Sequence, residues 1–186
     1  VSSLRAYRWT SGFYQLFLGL WFGAIVMLVF AAAITFATVR GELPQWTETQ
    51  QNILAGGIVG NVIRNGLTMI QLTCAVVVAV CMLLQAVVFG DRLRHGWLNR
   101  LRVALIAIPI VIVITDVAYI SPTMHTLRQG MHDQANANRD ADKAAFDRYH
   151  KLSERITGGA MFMLAGALLV SPFVLTTGKR DEPTSG

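Results

Sequence analysis

The sequence predicts an all-α integral membrane protein: a four-helix bundle in which helices 3 and 4 extend beyond the membrane as an antiparallel hairpin. Three observations lead there. Of 186 residues, 53% are hydrophobic and only 15% charged, where a soluble globular domain carries about a quarter charged. The charges are segregated, with none between Arg8 and Arg40, between Arg64 and Asp91, or between Arg155 and Lys179. Each gap exceeds the roughly 20 apolar residues that cross a bilayer. A fourth apolar stretch, residues 103–122, is interrupted only by Asp116. The expected spans are residues 13–39, 67–89, 103–122 and 156–177. They form a single domain over residues 1–178, followed by a polar tail, 179–186, expected to be disordered.

The chain approaches the first span through Arg5, Tyr7, Arg8 and Trp9, a basic and aromatic pattern typical of a membrane interface. Residues 13–39 outrun the roughly 7–15-residue apolar core of a cleaved signal peptide. Gly12, Gly19 and Gly23 fall on one helical face, and Gly19-xxx-Gly23 is a small-residue contact motif. In residues 41–65, Pro44 and Trp46 precede Thr47-Glu-Thr-Gln50, a capping box that should open a short helix. Its apolar residues Ile53, Leu54, Ile58 and Val62 predict a helix in the interface that runs into the second span. Gly56-xxx-Gly60 offers it a packing face.

The second span has two polar exceptions, Gln71 and Gln85. Its cysteines, Cys74 and Cys81, share a face but stand seven residues apart, about 10 Å along a helix, which excludes a disulfide. The next connection holds Arg92, Arg94, Arg100 and Arg102 against one acid, Asp91. Pro109 should kink the third span. Ser121-Pro122 has the chemistry of a helix restart, with serine as cap and proline in the first turn.

The hairpin rests on two stripes. Ile120, Met124, Leu127 and Met131 are spaced four, three and four, as are Ala145, Tyr149, Leu152 and Ile156. Paired antiparallel, 131 faces 145, 127 faces 149, 124 faces 152 and 120 faces 156, which sets Asp116 against Ala160. Orientation follows the basic residues. Eight Lys/Arg lie on each side, but four arginines crowd into the second connection, so that connection and both termini are expected in the cytoplasm.

An aspartate near the centre of a span costs about 2.5–3.5 kcal/mol on insertion scales and marks a functional hypothesis by default. Asp116 with Gln71 and Tyr119 is therefore the candidate intramembrane polar site. One reading is a proton- or cation-binding site between helices. The other is a buried acid satisfied by Gln71, Thr68 or Tyr119, and the lack of a basic partner within the membrane favours it. His125, His132 and His150 with Asp133 and Asp147 carry metal-ligand chemistry. His125 and His132 stand two turns apart, too far to share one ion, and only His125 with His150 could approach across the hairpin; the histidines are expected to face solvent or headgroups, with no metal. The seven methionines lack tight clustering and read as packing residues. No nucleophile–base pair or phosphate loop is present, so no catalytic residue and no cofactor is expected. The arginines sit at span ends, where they anchor to lipid headgroups rather than nucleic acid.

The order YISPTMHTLR, an acidic and alanine-rich connection, then FDRYHKLSERITGGAMFMLAGALLV resembles the bacterial domain-of-unknown-function family 4149. That family is related to the transmembrane protein 205 family. The loop LPQWTETQQNILAGGIVGNV is similar to that family's leucine-proline connection. The resemblance implies four spans, with a proline-arginine stretch ending the third helix (Pro122, Arg128) and a histidine-x-x-serine opening the fourth (His150, Ser153). Asp116 departs from the family pattern, which has an amide or apolar residue there. The family has no agreed activity. The expectation is a non-enzymatic multi-pass protein of the bacterial inner membrane, an accessory subunit or one that self-associates. Its partners would be the lipid bilayer and other membrane subunits or a second copy. The alternative is a transport module for a small solute or a copper-like metal ion, using Asp116.

Overall fold

The computed structural model describes residues 2–88, 96–132 and 137–177, without the side chains of 2–4, 64–65, 132 and 176–177. Arg92 and Arg94 of the second connection, residues 133–136 of the third and the tail 179–186 lie outside the described residues. All the regular structure described is helical: α1 (Ser2–Glu42), α2 (Glu48–Val62), α3 (Thr68–Val88), α4 (Trp97–Thr115), α5 (Ser121–His132) and α6 (Arg139–Thr177). Four helical stretches, Arg5–Glu42, Thr68–Val88, Trp97–Met131 and Arg139–Leu175, are long and apolar enough to cross a membrane. With 39 residues, α6 is about 58 Å long, nearly twice the roughly 30 Å of a bilayer core.

Two joints are single wide turns. A π-helical turn, Ile63–Leu67, carries α2 into α3, and a second, Asp116–Ile120, carries α4 into α5. The second corrects the expected restart at Ser121-Pro122. Ser121 is helical (φ −58°, ψ −48°) and donates its N–H to the Asp116 carbonyl rather than capping a new helix. The i→i+5 bonding admits one extra residue into the turn, and this makes room for the ring of Pro122 without breaking the rod. At the start of α2 the capping box is formed. Gln50 N donates to Thr47 Oγ1 at 3.4 Å, and Thr47 N donates to Gln50 Oε1 at 3.0 Å.

In packing order, α1 lies against α2, α3 and α6, and α6 lies against α1, α4 and α5. The core is built from one stripe per long helix, each with the same four-three-four spacing. Tyr14, Leu18, Trp21 and Ile25 come from α1; Cys74, Val78, Cys81 and Gln85 from α3. Arg102, Ile106, Pro109 and Val113 come from α4, and Ala160, Leu164, Ala167, Ser171 and Val174 from α6. Both cysteines are free thiols on that stripe. The outward faces are apolar as well, with Phe30, Val76, Phe162 and Leu169 exposed, the pattern of a surface solvated by lipid. Gly166 sits where α6 meets α4, and a methyl there would lie 3.3 Å from Leu105 Cδ1. Small residues permit this close approach, which matters in a bilayer because hydrophobic burial drives little helix association there.

Candidate functional site

Asp116 is half-buried at the start of its π-turn. Ser153 Oγ donates to Asp116 Oδ1 at 3.5 Å, and the Ser121 hydroxyl is its second hydrogen-bonding partner. The partners expected for it are engaged elsewhere. Thr68 Oγ1 donates to the Ile63 carbonyl at 3.0 Å, and Tyr119 pairs with Tyr149. Among the described residues Asp116 and Gln71 share no hydrogen bond, in keeping with α4 resting chiefly on α6 rather than on α3. The sequence-derived grouping of Asp116, Gln71 and Tyr119 is therefore not joined by hydrogen bonds, and Asp116 forms a niche with two serines.

Ser153 and Tyr149 also fix the level at which α6 meets this part of the chain. Asp116 meets Ser153 rather than Ala160, and the Tyr119 and Tyr149 hydroxyls lie 3.1 Å apart with their rings edge-to-face. Both contacts run two turns away from the stripe-matched pairing. Leu152, expected in the contact, is 45% exposed, while Met124, Leu127, Met131, Ala145 and Tyr149 are half-buried. The reason is periodicity. A four-three-four stripe repeats after seven residues, so a slip of that size returns the same faces to each other. Polar partners then decide the register.

The residues of the family-like motif take separate roles. His150 Nε2 lies 3.3 Å from Glu154 Oε1 and its ring stacks on Phe146, while the Ser153 hydroxyl is given to Asp116. Pro122 is exposed. Arg128 lies over the glycines of α2: a methyl on Gly57 would be 3.3 Å from its Nη2, and one on Gly60 3.5 Å from its Nη1. The packing face of α2 is thus Gly57 and Gly60, whereas Gly56 has open space around it. Among the described residues, no group of three or more His, Cys, Asp or Glu is placed to hold a metal ion.

A second polar cluster was not anticipated. Each of the four core stripes carries one polar side chain towards the end of the bundle where α1 and α4 begin and α3 and α6 finish, the α6 stripe continuing one turn beyond it to Val174. Tyr14, Gln85, Arg102 and Ser171 are all at most 1% exposed. Arg102 Nη2 donates to Gln85 Oε1 at 3.2 Å, and its guanidinium carbon lies 5.1 Å from the Tyr14 ring centroid. The Tyr14 hydroxyl is 2.8 Å from Ser171 Oγ, and Gln85 Nε2 approaches Ser11 Oγ at 3.5 Å. The layer ties four helices together through neutral groups and one cation. From the sequence, Arg102 looks like the last of four loop arginines anchored to headgroups. Its spacing of four, seven and eleven residues from Ile106, Pro109 and Val113 was the available sign that it belongs to the buried stripe.

The fold and these sites define a multi-pass membrane protein with one polar layer and one polar niche within its bundle. No family model, curated protein or solved structure matches the chain.

Proposed function

We propose that this chain is a non-enzymatic membrane subunit of the family 4149 type that works by self-association or by joining a larger membrane complex. It would reside in the bacterial cytoplasmic membrane with both termini inside. The carrying observation is the glycine face of α1. Gly12, Gly19 and Gly23 lie about 150° around the helix from the Tyr14–Ile25 stripe, and a methyl built on any of them meets nothing within 4 Å. The chain's own packing therefore leaves this small-residue face free for a helix from another chain.

The test uses the full chain with Cys74 and Cys81 replaced by alanine. Cysteine at Gly19 should give an oxidised cross-linked species in native membranes, while cysteine at the buried Ile25 should give none. Monomer from the Gly19 variant at all expression levels would sink self-association, and absence of any crosslinked species to another membrane protein as well would sink the reading whole.

A second reading is supported by Asp116. An intramembrane carboxylate held by two serine hydroxyls in a π-turn, a turn type frequent at functional sites, is suited to passing protons or small cations.

A further inference from the structure

We propose that the Arg102 layer is an anion site for a phosphate group, reached from the membrane interface at the end of the bundle where α1 and α4 begin. Three features of that end carry the proposal.

The first is an unbalanced charge. Arg102 is 1% exposed, yet its Nε and Nη1 have no hydrogen-bond partner among the described residues. A guanidinium has five N–H donors, one on Nε and two on each terminal nitrogen. Three of them are therefore idle. Its partners are an amide oxygen and an aromatic ring, and among the described residues no carboxylate lies within ion-pairing distance. Arginine stays charged in proteins, and a buried charge without a counterion costs several kcal/mol. The cation–π contact offsets only part of that.

The second is the lining. One and two turns outward from Tyr14 on the same face of α1 lie Ser11 and Tyr7, and one turn outward from Arg102 lies Asn99, all half-buried. The Tyr7 hydroxyl already reaches across to the Leu175 carbonyl on α6 at 3.4 Å. The side chains on the outward side of Arg102 are thus hydroxyls and an amide, which hydrogen-bond phosphate oxygens and present no negative charge against them. Arginine is the residue best matched to such an oxyanion.

The third is depth. Trp9 on α1 and Trp97 on α4 are 70% and 71% exposed, and exposed tryptophans mark the headgroup level. Tyr14 and Arg102 each lie five residues further in, about 7–8 Å. Arg5, Arg8 and Arg100, exposed at the same end, raise the local concentration of anions. A phospholipid headgroup can supply the phosphate at this depth, and so can a soluble phosphate entering from the aqueous side.

The experiment separates the two sources. The full chain is purified in dodecyl maltoside, which contains no phosphate, and followed by thermal unfolding and native mass spectrometry. Phosphatidylglycerol, phosphatidylcholine or inorganic phosphate is added, with chloride at matched ionic strength as control. A lipid site predicts a retained phospholipid and a raised midpoint with either lipid, and no response to inorganic phosphate. A soluble-phosphate site predicts a raised midpoint with inorganic phosphate. In either case Arg102→Met should weaken the response by about tenfold or more and Arg102→Lys should weaken it less. If wild-type protein responds to neither lipid nor phosphate beyond the chloride control, the proposal is wrong, whatever the variants do. An Arg102→Met protein with an unchanged response overturns it equally.

Discussion

The hydroxyls of Tyr119 and Tyr149 lie 3.1 Å apart, their ring centroids 6.1 Å apart and tilted by 66°, a contact about two turns away from the register that the apolar stripe of α6 suggests. Cysteines replacing Tyr119 and Tyr149 should join readily through a short thiol crosslinker. A pair at Leu127 and Tyr149, which the stripe-matched register would favour, should join poorly. The reverse yields, measured in membranes, would restore that register.

The Asp116 niche separates shape from charge. Asp116→Asn keeps an acceptor for Ser153 and should leave the unfolding midpoint nearly unchanged. Asp116→Leu leaves the serine hydroxyls without their acceptor and should cost about 1–3 kcal/mol. If Asp116 carries protons or cations, the asparagine variant should instead abolish flux in reconstituted vesicles while the protein stays intact. A flux that survives the substitution removes the transport reading.

Close approach at Gly166 gives a sharp steric test. Gly166→Val puts its Cβ 3.3 Å from Leu105 Cδ1, and overpacking at such a contact costs about 1–3 kcal/mol. Adding Leu105→Ala should recover much of the loss. Gly12→Ala, where the added methyl meets nothing, should be neutral in the same unfolding assay. Equal loss at Gly12 and Gly166 would show that crowding against Leu105 is not the cause, since Gly→Ala in a helix loses no propensity.

Orientation is checked with an impermeant thiol reagent on intact cells. Cysteine at Asn138, in the turn before α6, should label from outside, and cysteine at Trp97 should not. Labelling at Trp97 alone would invert the topology.

The long helices were legible because their signal is composition over twenty or more residues, and charge-free runs of that length leave few alternatives. The capping box at Thr47 was legible for a different reason, since it depends only on neighbours three apart. Register was not, because stripes such as Ile120–Met131 repeat every seven residues and fit equally well one repeat along. The partners of Asp116 were missed because they depend on which helix α4 rests against, a matter of packing rather than of pattern. Arg102 lay between the two cases. Its position on the Ile106–Pro109–Val113 face was readable, but its nearness to three other arginines made it look like an interfacial anchor.

Arg102 and Asp116 lie fourteen residues apart on one continuous helical stretch, Trp97–Met131, about 21 Å along its axis. A bilayer core is roughly 30 Å thick, so the purely apolar part of α4 is too short to match it. Alone in lipid, this segment would have to thin the membrane around it or leave an ionisable group in hydrocarbon. Chain order eases one end before the other. Tyr14 and Gln85 have already been synthesised when α4 emerges, whereas Ser153 arrives only with α6. The mismatch is thus relieved in sequence, first at Arg102 and later at Asp116, and a chain truncated before residue 153 should hold its third span less securely than its first two.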